Sequence, residues 1–163
     1  MASKKMEASG NPSELAKFEL QVLLVEDQWA EQRLISKRLK SMGCQVTMAQ
    51  NLQEAGHVLK NTPMDMVLMD SGIYSQNGYD FSAVVEETER KTGKSIPVIG
   101  LACNFIKTQR EQYMANGMDE YLPKPVAENE LFRVMVKLAG NVKYFNPELS
   151  RIPAEQSDEI SVG

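Results

Sequence analysis

VLLVED at residues 22–27 and MVLMD at residues 66–70 share one pattern, in which four consecutive apolar residues end abruptly in carboxylates. Continuous apolar runs are typical of strands covered on both faces, as in parallel sheets, whereas half-exposed strands alternate. A third run, PVIGL at 97–101, ends in small residues, and weaker strand patterns lie at 44–48 and 120–122. These runs predict five strands, most of them buried.

Helical patterns separate the predicted strands. One begins at about residue 29, and a second runs from about 52 to 60 behind Asn51, a predicted N-cap. Later patterns occupy about 79–92, 105–116 and 127–139. Gly43 and Gly117 stand where helix C-caps are expected. Strands and helices that alternate with short connections predict an α/β fold, with a parallel sheet covered by helices on both faces.

The composition argues against a nucleic-acid-binding protein, a membrane-spanning protein and a protein held together by disulfides. The chain has 163 residues and a net charge of −4 at pH 7, which gives no support to a nucleic-acid-binding surface. No apolar stretch approaches the roughly 20 residues of a membrane span, and the first residues lack the apolar centre of a signal peptide. Two cysteines are too few for a disulfide framework. We therefore expect a cytoplasmic protein with no nucleic-acid partner and no membrane contact.

The apolar runs lie between residues 20 and 140, which predicts a single domain over that range. Residues 1–19 are a polar N-terminal segment or linker, and residues 141–163 are a polar C-terminal tail in which Pro147 and Pro153 interrupt any long helix. Neither end has enough apolar residues to form a second core, so the functional residues are expected within 20–140.

Charged residues follow several of the predicted strands. Glu26 and Asp27 follow the first strand, Asp70 ends the third, and Lys124 follows the fifth. Each acidic residue alone is compatible with a helix cap, but ligands of such sheets bind at the carboxyl ends of the strands. Three neighbouring carboxylates repel one another unless a cation is present, and Mg²⁺ prefers oxygen ligands of this kind. A carboxylate beside a metal and a lysine can attack phosphorus and form an aspartyl phosphate.

The motifs LLVED (23–27), MVLMD (66–70), NG (77–78) and GMDEYLPKPV (117–126) together resemble the receiver domain of two-component response regulators, the CheY-like superfamily. They are most similar to the receivers of hybrid sensor histidine kinases, and the resemblance covers about residues 21–139. It implies a flavodoxin-like, doubly wound fold: a five-stranded parallel sheet in the order 2-1-3-4-5, with five helices on its two faces.

The resemblance also implies the roles of the charged residues. Asp70 is then the phospho-acceptor, and Lys124 contacts the phosphoryl group. Asp27, Asp70 and the backbone carbonyl of Gly72 hold Mg²⁺, with Glu26 acting mainly through water. The peptide bond between Lys124 and Pro125 is expected to be cis, as is usual in the family.

Two positions depart from the family pattern. Ala102 stands where a Thr or Ser hydroxyl normally binds a phosphoryl oxygen, so the switch residue lacks a donor. Tyr74 stands where a proline is common. Tyr121 corresponds to the aromatic residue that changes rotamer in receivers, and without a hydroxyl at 102 a packing role is an equal alternative. Cys103 is interpreted as a small buried apolar residue, and Trp29 as either a residue at the rim of the pocket or a packing residue.

The predicted function is therefore that of a phospho-receiver in a two-component or phosphorelay system. It accepts a phosphoryl group from a histidine kinase or a histidine phosphotransfer protein, with Mg²⁺ as cofactor. It signals through contacts with a downstream protein or with other domains of a parent hybrid kinase. Such a domain is not an enzyme, because it catalyses only its own phosphorylation and dephosphorylation. The alternative is an interaction module whose phosphorylation-driven switching is weakened by Ala102; an autonomous hydrolase is disfavoured because no general base is evident.

Overall fold

A five-stranded parallel sheet forms the centre of the computed structural model, which describes residues 17–103, 106–139, 144 and 145. Its strands are β1 (Gln21–Val25), β2 (Gln45–Ala49), β3 (Met66–Asp70), β4 (Val98–Ala102) and β5 (Glu120–Pro123). Their order across the sheet is β2-β1-β3-β4-β5, and every neighbouring pair is parallel. The predicted α/β class and the order 2-1-3-4-5 are confirmed.

Helices connect the strands along the chain. They are α1 (Trp29–Ser41), α2 (Leu52–Asn61), α3 (Ser71–Thr92), α4 (Lys107–Ala115) and α5 (Glu128–Ala139). The side chain of Asn51 accepts a hydrogen bond from the backbone N–H of Glu54 at 2.8 Å, which confirms the predicted N-cap of α2. Gly43 and Gly117 have φ values of 97° and 114°, as expected for glycines that follow a helix.

Helix α3 begins eight residues earlier than the predicted start at about residue 79. The carboxylate of Asp70 accepts a hydrogen bond from the backbone N–H of Ile73 at 3.1 Å and so caps a first helical turn directly after β3. Asn77 has non-helical angles (φ −164°, ψ 51°) and divides α3 into the segments 71–76 and 78–92. Within the described residues the sheet is therefore accompanied by six helical segments, where the sequence predicted five.

Both faces of the sheet are covered, which explains the continuous apolar runs. Residues 22–25 of β1 are fully buried, and neighbours along this strand point to opposite sides. Leu24 packs in a core with side chains from α1 and α5, and Leu23 packs in a second core with side chains from α2 and α3. The carboxyl ends of the strands remain open between these layers.

A short ribbon extends the described fold beyond the main sheet. Lys17–Phe18 pairs with Tyr144–Phe145 in antiparallel orientation. Phe18 is 1% exposed, and its ring centroid lies 5.6 Å from that of Phe132 in α5, so the core reaches into the segment that composition assigned to the polar N-terminus. The remainder of the two predicted polar segments, 1–16 and most of 141–163, lies outside the described residues. Within the described part, no helix combines the length and apolarity that a bilayer crossing requires.

Candidate functional site

The chain reverses its direction across the sheet between β1 and β3, at the carboxyl ends of these strands. Val25 lies opposite Met69 in the register of the two strands, so Glu26 and Asp70 emerge side by side. Lys124 follows β5, and its backbone N–H donates to the carbonyl of Ala102 at the end of β4 at 2.7 Å. Side chains from three distant segments therefore meet at the position where sheets of this class bind ligands.

Lys124 forms the centre of the site. Its Nζ lies 2.8 Å from Oε1 of Glu26 and 2.7 Å from Oδ1 of Asp70, and its side chain is only 5% exposed. Burial alone lowers the pKa of Lys124, but the hydrogen bonds to Asp70 and Glu26 outweigh burial and raise it above its ordinary value of 10.5. The lysine is therefore charged at neutral pH and donates two charge-assisted hydrogen bonds.

Glu26 is completely buried, and both of its carboxylate oxygens have partners. Oε1 accepts from Lys124, and Oε2 accepts from the backbone N–H of Gln28 at 3.1 Å. Burial raises the pKa of Glu26, and the hydrogen bonds from Lys124 and Gln28 offset only part of that effect. The direct contact of Glu26 is thus with Lys124, which it holds in place on the side away from Asp70.

Asp70 is the more accessible carboxylate of the pair, with 17% of its side chain exposed. One oxygen accepts from Lys124 and the other caps the first turn of α3 at Ile73. A Cβ on Gly72 would lie 2.9 Å from Oδ2 of Asp70, so glycine at this position leaves the carboxylate uncrowded. The carbonyl of Gly72, the expected metal ligand, accepts a hydrogen bond from the hydroxyl of Ser75 at 2.8 Å.

Asp27 is exposed beside this cluster. No hydrogen bond to its carboxylate exists within the described residues. Among those residues, no three His, Cys, Asp or Glu side chains are close enough to enclose a metal ion. Mg²⁺, however, needs only one or two protein carboxylates and completes its shell with water and phosphate oxygens. The hard oxygen donors of Asp27 and Asp70, on adjacent strand ends and both reachable by solvent, fit this ion.

Ala102 and Tyr121 lie on the neighbouring strands β4 and β5. Ala102 is 1% exposed, and its methyl group offers no donor to the site. The ring of Tyr121 is buried, and its hydroxyl is 3.4 Å from Oε1 of Gln109 in α4, a long hydrogen bond. Burial raises the pKa of the Tyr121 hydroxyl. Ala102 is thus the last residue of β4, and Tyr121 lies in β5.

Two sequence interpretations are wrong. Cys103 is exposed, because β4 ends one residue before it and the covering helices no longer enclose the chain there. Of the two roles expected for Trp29, packing is wrong: this first residue of α1 is 69% exposed, and the guanidinium of Arg33 lies 5.0 Å from its ring centroid.

Sequence reasoning assigned no role to Tyr74, whose hydroxyl the structure places on the backbone carbonyl of Asn116. It is 4% exposed and lies four residues beyond Asp70, in the first segment of α3. The available signal was Gly78, because a glycine one helical turn later leaves room for an aromatic ring on the same face.

An open parallel sheet with a lysine shared between two strand-end carboxylates has its charged groups where α/β domains of this class bind ligands. The family model of the response regulator receiver domain matches residues 22–136, and the chain therefore belongs to that family. One curated relative is the sensor histidine kinase GacS of Pseudomonas protegens, which is 29% identical over 120 residues. That match covers 73% of this chain and only 13% of the kinase.

Solved structures agree with this assignment. The receiver domain of the sensor histidine kinase PA1611 from Pseudomonas aeruginosa is 29% identical, with a TM-score of 0.65 over 76% of this chain and 99% of that one; it has a magnesium ion in its active-site cleft. The receiver domain of Saccharomyces cerevisiae Ssk1, crystallised with the histidine phosphotransfer protein Ypd1, has a TM-score of 0.65 at 20% identity. That match covers 74% of this chain and 89% of that one.

Replacing Lys124 by methionine should destabilise the fold strongly at neutral pH. The substitution leaves Glu26 buried without its counter-charge, and loss of one partner of a buried ion pair costs about 3–5 kcal/mol. The raised pKa of Lys124 means that its contribution persists at all pH values below 10.5 at which its partners are ionised. Because burial raises the pKa of Glu26 above its ordinary value of 4.5, this carboxylate already protonates as the pH falls toward 4.5, and the penalty should shrink over that range and be small at pH values below 4.5.

Urea unfolding at pH 7 and at pH 4 measures this difference in the free energy of unfolding. Lys137→Met is the matched control, because Lys137 pairs with Glu120 at 3.1 Å but is 64% exposed. The free energy of unfolding of that variant should fall by less than about 1 kcal/mol. If Lys124→Met lowered the free energy of unfolding equally at both pH values, the buried charge of Glu26 would not be the cause of the destabilisation.

Proposed function

We propose that the chain is a phospho-receiver in which Asp70 accepts a phosphoryl group from the phosphohistidine of a histidine kinase or histidine phosphotransfer protein. The observation that supports this most directly is the 2.7 Å contact between Lys124 Nζ and Oδ1 of Asp70 at the switch point of the sheet. A nucleophilic carboxylate needs access to solvent and a cation that tolerates the charge of the incoming phosphate. Asp70 has both, whereas Glu26 is enclosed.

The proposed reaction is an in-line displacement. A carboxylate oxygen of Asp70 forms a bond to phosphorus while the phosphorus–nitrogen bond of phosphohistidine breaks, and the imidazole nitrogen keeps the electron pair. Lys124 is a mobile point charge, so its ammonium follows the phosphoryl oxygen that arrives beside Asp70. Glu26 keeps that ammonium at the site throughout. Mg²⁺, when bound, neutralises part of the phosphoryl charge; Asp27, Asp70 and the carbonyl of Gly72 would hold it.

Relatives support the donor and the cofactor. The PA1611 receiver, 29% identical to this chain, contains magnesium in its cleft. The Ssk1 receiver, which shares the fold, is bound by a histidine phosphotransfer protein. On this basis we assign Mg²⁺ as the cofactor and a phosphohistidine protein as the donor. The output is an altered surface that a downstream protein, or another domain of a parent hybrid kinase, recognises; nucleic acid and membrane are not partners.

A second function is favoured by one specific observation, the buried methyl group of Ala102. With no hydroxyl at the end of β4, the phosphoryl group cannot attract the loop that leads into α4. The chain would then be a receiver-fold interaction module that is phosphorylated yet responds only weakly through this loop. The two functions differ in the response of the loop, not in the chemistry at Asp70.

Phosphorylation should occur on Asp70 alone. Acetyl phosphate with Mg²⁺ is expected to add one phosphoryl group, detected by intact mass and removed by hydroxylamine, because an acyl phosphate is labile to that nucleophile. Asp70→Asn, which is nearly isosteric, should give no adduct. An adduct of equal yield in Asp70→Asn would move the acceptor to another residue and refute the proposed function.

Metal binding should depend on Asp27. Mg²⁺ or Mn²⁺ should change the emission of Trp29, which lies two residues from Asp27 in the sequence, and Asp27→Ala should abolish that response. Glu31→Ala is a suitable control, because it removes an acidic residue from the first turn of α1 outside the site. A response that survives Asp27→Ala would place the metal elsewhere.

Restoring a hydroxyl at position 102 should strengthen the response at the start of α4. In Ala102→Thr, beryllofluoride with Mg²⁺ should shift the amide signals of Cys103, Ile106 and Tyr121 more than in the wild type. A hydrogen bond to a charged oxygen is worth about 1.5–3 kcal/mol, enough for a roughly ten- to hundredfold change in a two-state equilibrium. Ala102→Val, which adds bulk without a donor, is the control. Equally large shifts in the wild type would exclude the weakened module.

A further inference from the structure

Two hydroxyl groups on α3 bind the C-terminal end of α4. The hydroxyl of Tyr74 donates to the backbone carbonyl of Asn116 at 2.8 Å and lies 2.8 Å from Oγ of Ser82. Oγ of Ser82 is itself 3.0 Å from the same carbonyl. Asn116 is the C-cap of α4. Tyr74, Ser82 and Asn116 are called the α3–α4 junction below.

Two glycines provide the space that this junction occupies. A Cβ on Gly78 would lie 2.6 Å from a ring carbon of Tyr74, so the ring packs directly on the backbone just beyond the break in α3. A Cβ on Gly117 would lie 2.9 Å from Oγ of Ser82, and the φ of 114° at Gly117 also favours glycine. The close approach of the two helices thus depends on the absence of side chains at both positions.

Helix α4 has few other attachments in the described structure. None of its residues from 107 to 115 is buried. Tyr113 contacts the rings of Tyr74 and Tyr121, with centroid separations of 5.5 and 5.4 Å. Arg110 forms an ion pair with Glu120 at 3.1 Å. Met114 and Tyr113 are partly buried against the second core, but no residue of the helix is fully buried. Tyr74 contributes both a ring contact and a hydrogen bond to this weakly anchored helix, so its position affects where α4 lies.

The same residue follows directly after the one that Asp70 caps. The carboxylate of Asp70 caps the first turn of α3 through the N–H of Ile73, the residue before Tyr74. Formation of an acyl phosphate removes the carboxylate charge from this cap and places a larger group at the start of the turn. Asn77 separates residues 71–76 from the rest of α3, so this short segment can shift without moving the longer one.

We propose that Tyr74 is a positioning residue that couples the chemical state of Asp70 to the C-terminal end of α4, through the segment 71–76. This path does not pass through residue 102, and it rests on the proposed role of Asp70 as the phospho-acceptor. The loop after β4 and the α3–α4 junction are then separate connections to opposite ends of α4. Ala102 weakens the first connection and leaves the second intact.

A first experiment tests the coupling without any phosphate. Amide hydrogen exchange is measured at Asn116, Gly117 and Met118 in the wild type, Tyr74→Phe, Asp70→Ala and the double variant. Tyr74→Phe removes one hydrogen bond and should raise these rates about three- to tenfold. Asp70→Ala removes the cap and should raise them as well. The double variant should exchange no faster than the faster single variant, because coupled sites are not additive.

Controls separate this path from general destabilisation. Tyr113→Phe removes a hydroxyl that has no hydrogen bond within the described residues and should leave the three rates unchanged. Asp70→Asn retains a side-chain oxygen that can cap Ile73 and should exchange like the wild type. Leu23 and Leu24 in β1 report whether each variant is folded. The proposal would be overturned if the exchange rates were unchanged in Tyr74→Phe. It would also be overturned if the rate increase in the double variant were the product of the increases in Tyr74→Phe and Asp70→Ala.

A second experiment tests the same path with the phosphoryl analogue. Beryllofluoride with Mg²⁺ should shift the amide signals of residues 113–118 in the wild type and shift them less than half as much in Tyr74→Phe, while acetyl phosphate adds one phosphoryl group to both proteins. Full shifts in Tyr74→Phe would overturn the coupling. Failure of the wild type to take a phosphoryl group would instead refute the proposed function, and the phosphate-free comparison would still decide whether Asp70 and Tyr74 are coupled.

Discussion

A single buried ammonium group, that of Lys124, determines how the acidic edge of the sheet is arranged. Parallel strands bring their carboxyl ends together, so the carboxylates that follow β1 and β3 must lie close to one another. Glu26 is fully enclosed, and a charge in that position requires a partner. Lys124 is that partner, and its ammonium group also donates a hydrogen bond to Asp70. The remaining carboxylate, Asp27, is left exposed at the rim.

In this arrangement three acidic residues that look alike in the sequence have different roles. Glu26 has both oxygens engaged and acts as the support of the lysine. Asp70 shares the lysine but remains partly accessible, which suits a group that reacts. Asp27 has solvent on its carboxylate, which suits a group that binds a hydrated ion. The distinction arises from burial, because the three side chains have almost the same intrinsic acidity.

Much of the fold was predictable, since apolar runs such as 22–25 and 66–69 report burial on both faces of a strand. The convergence of Glu26, Asp70 and Lys124 followed from their positions at strand ends. The order of the strands required the family resemblance, because hydrophobic patterns do not specify which strands are neighbours. The direct contact of Glu26 with Lys124 was not predictable, since it depends on how the chain turns after Val25. The early start of α3 was missed because the helical pattern was recognised only from about residue 79, although Asp70 was already compatible with a helix cap.

The ribbon formed by Lys17–Phe18 and Tyr144–Phe145 has a mechanical consequence. Its antiparallel pairing places the points where the chain enters and leaves the domain about 5 Å apart, one strand spacing. Tension applied to these two points would first separate the two residue pairs of the ribbon, one after the other, and only then load the parallel sheet. One strand of the ribbon immediately precedes β1 in the chain, whereas the charged cluster lies at the carboxyl ends of the strands, so the first point of load and the site are at different places in the domain.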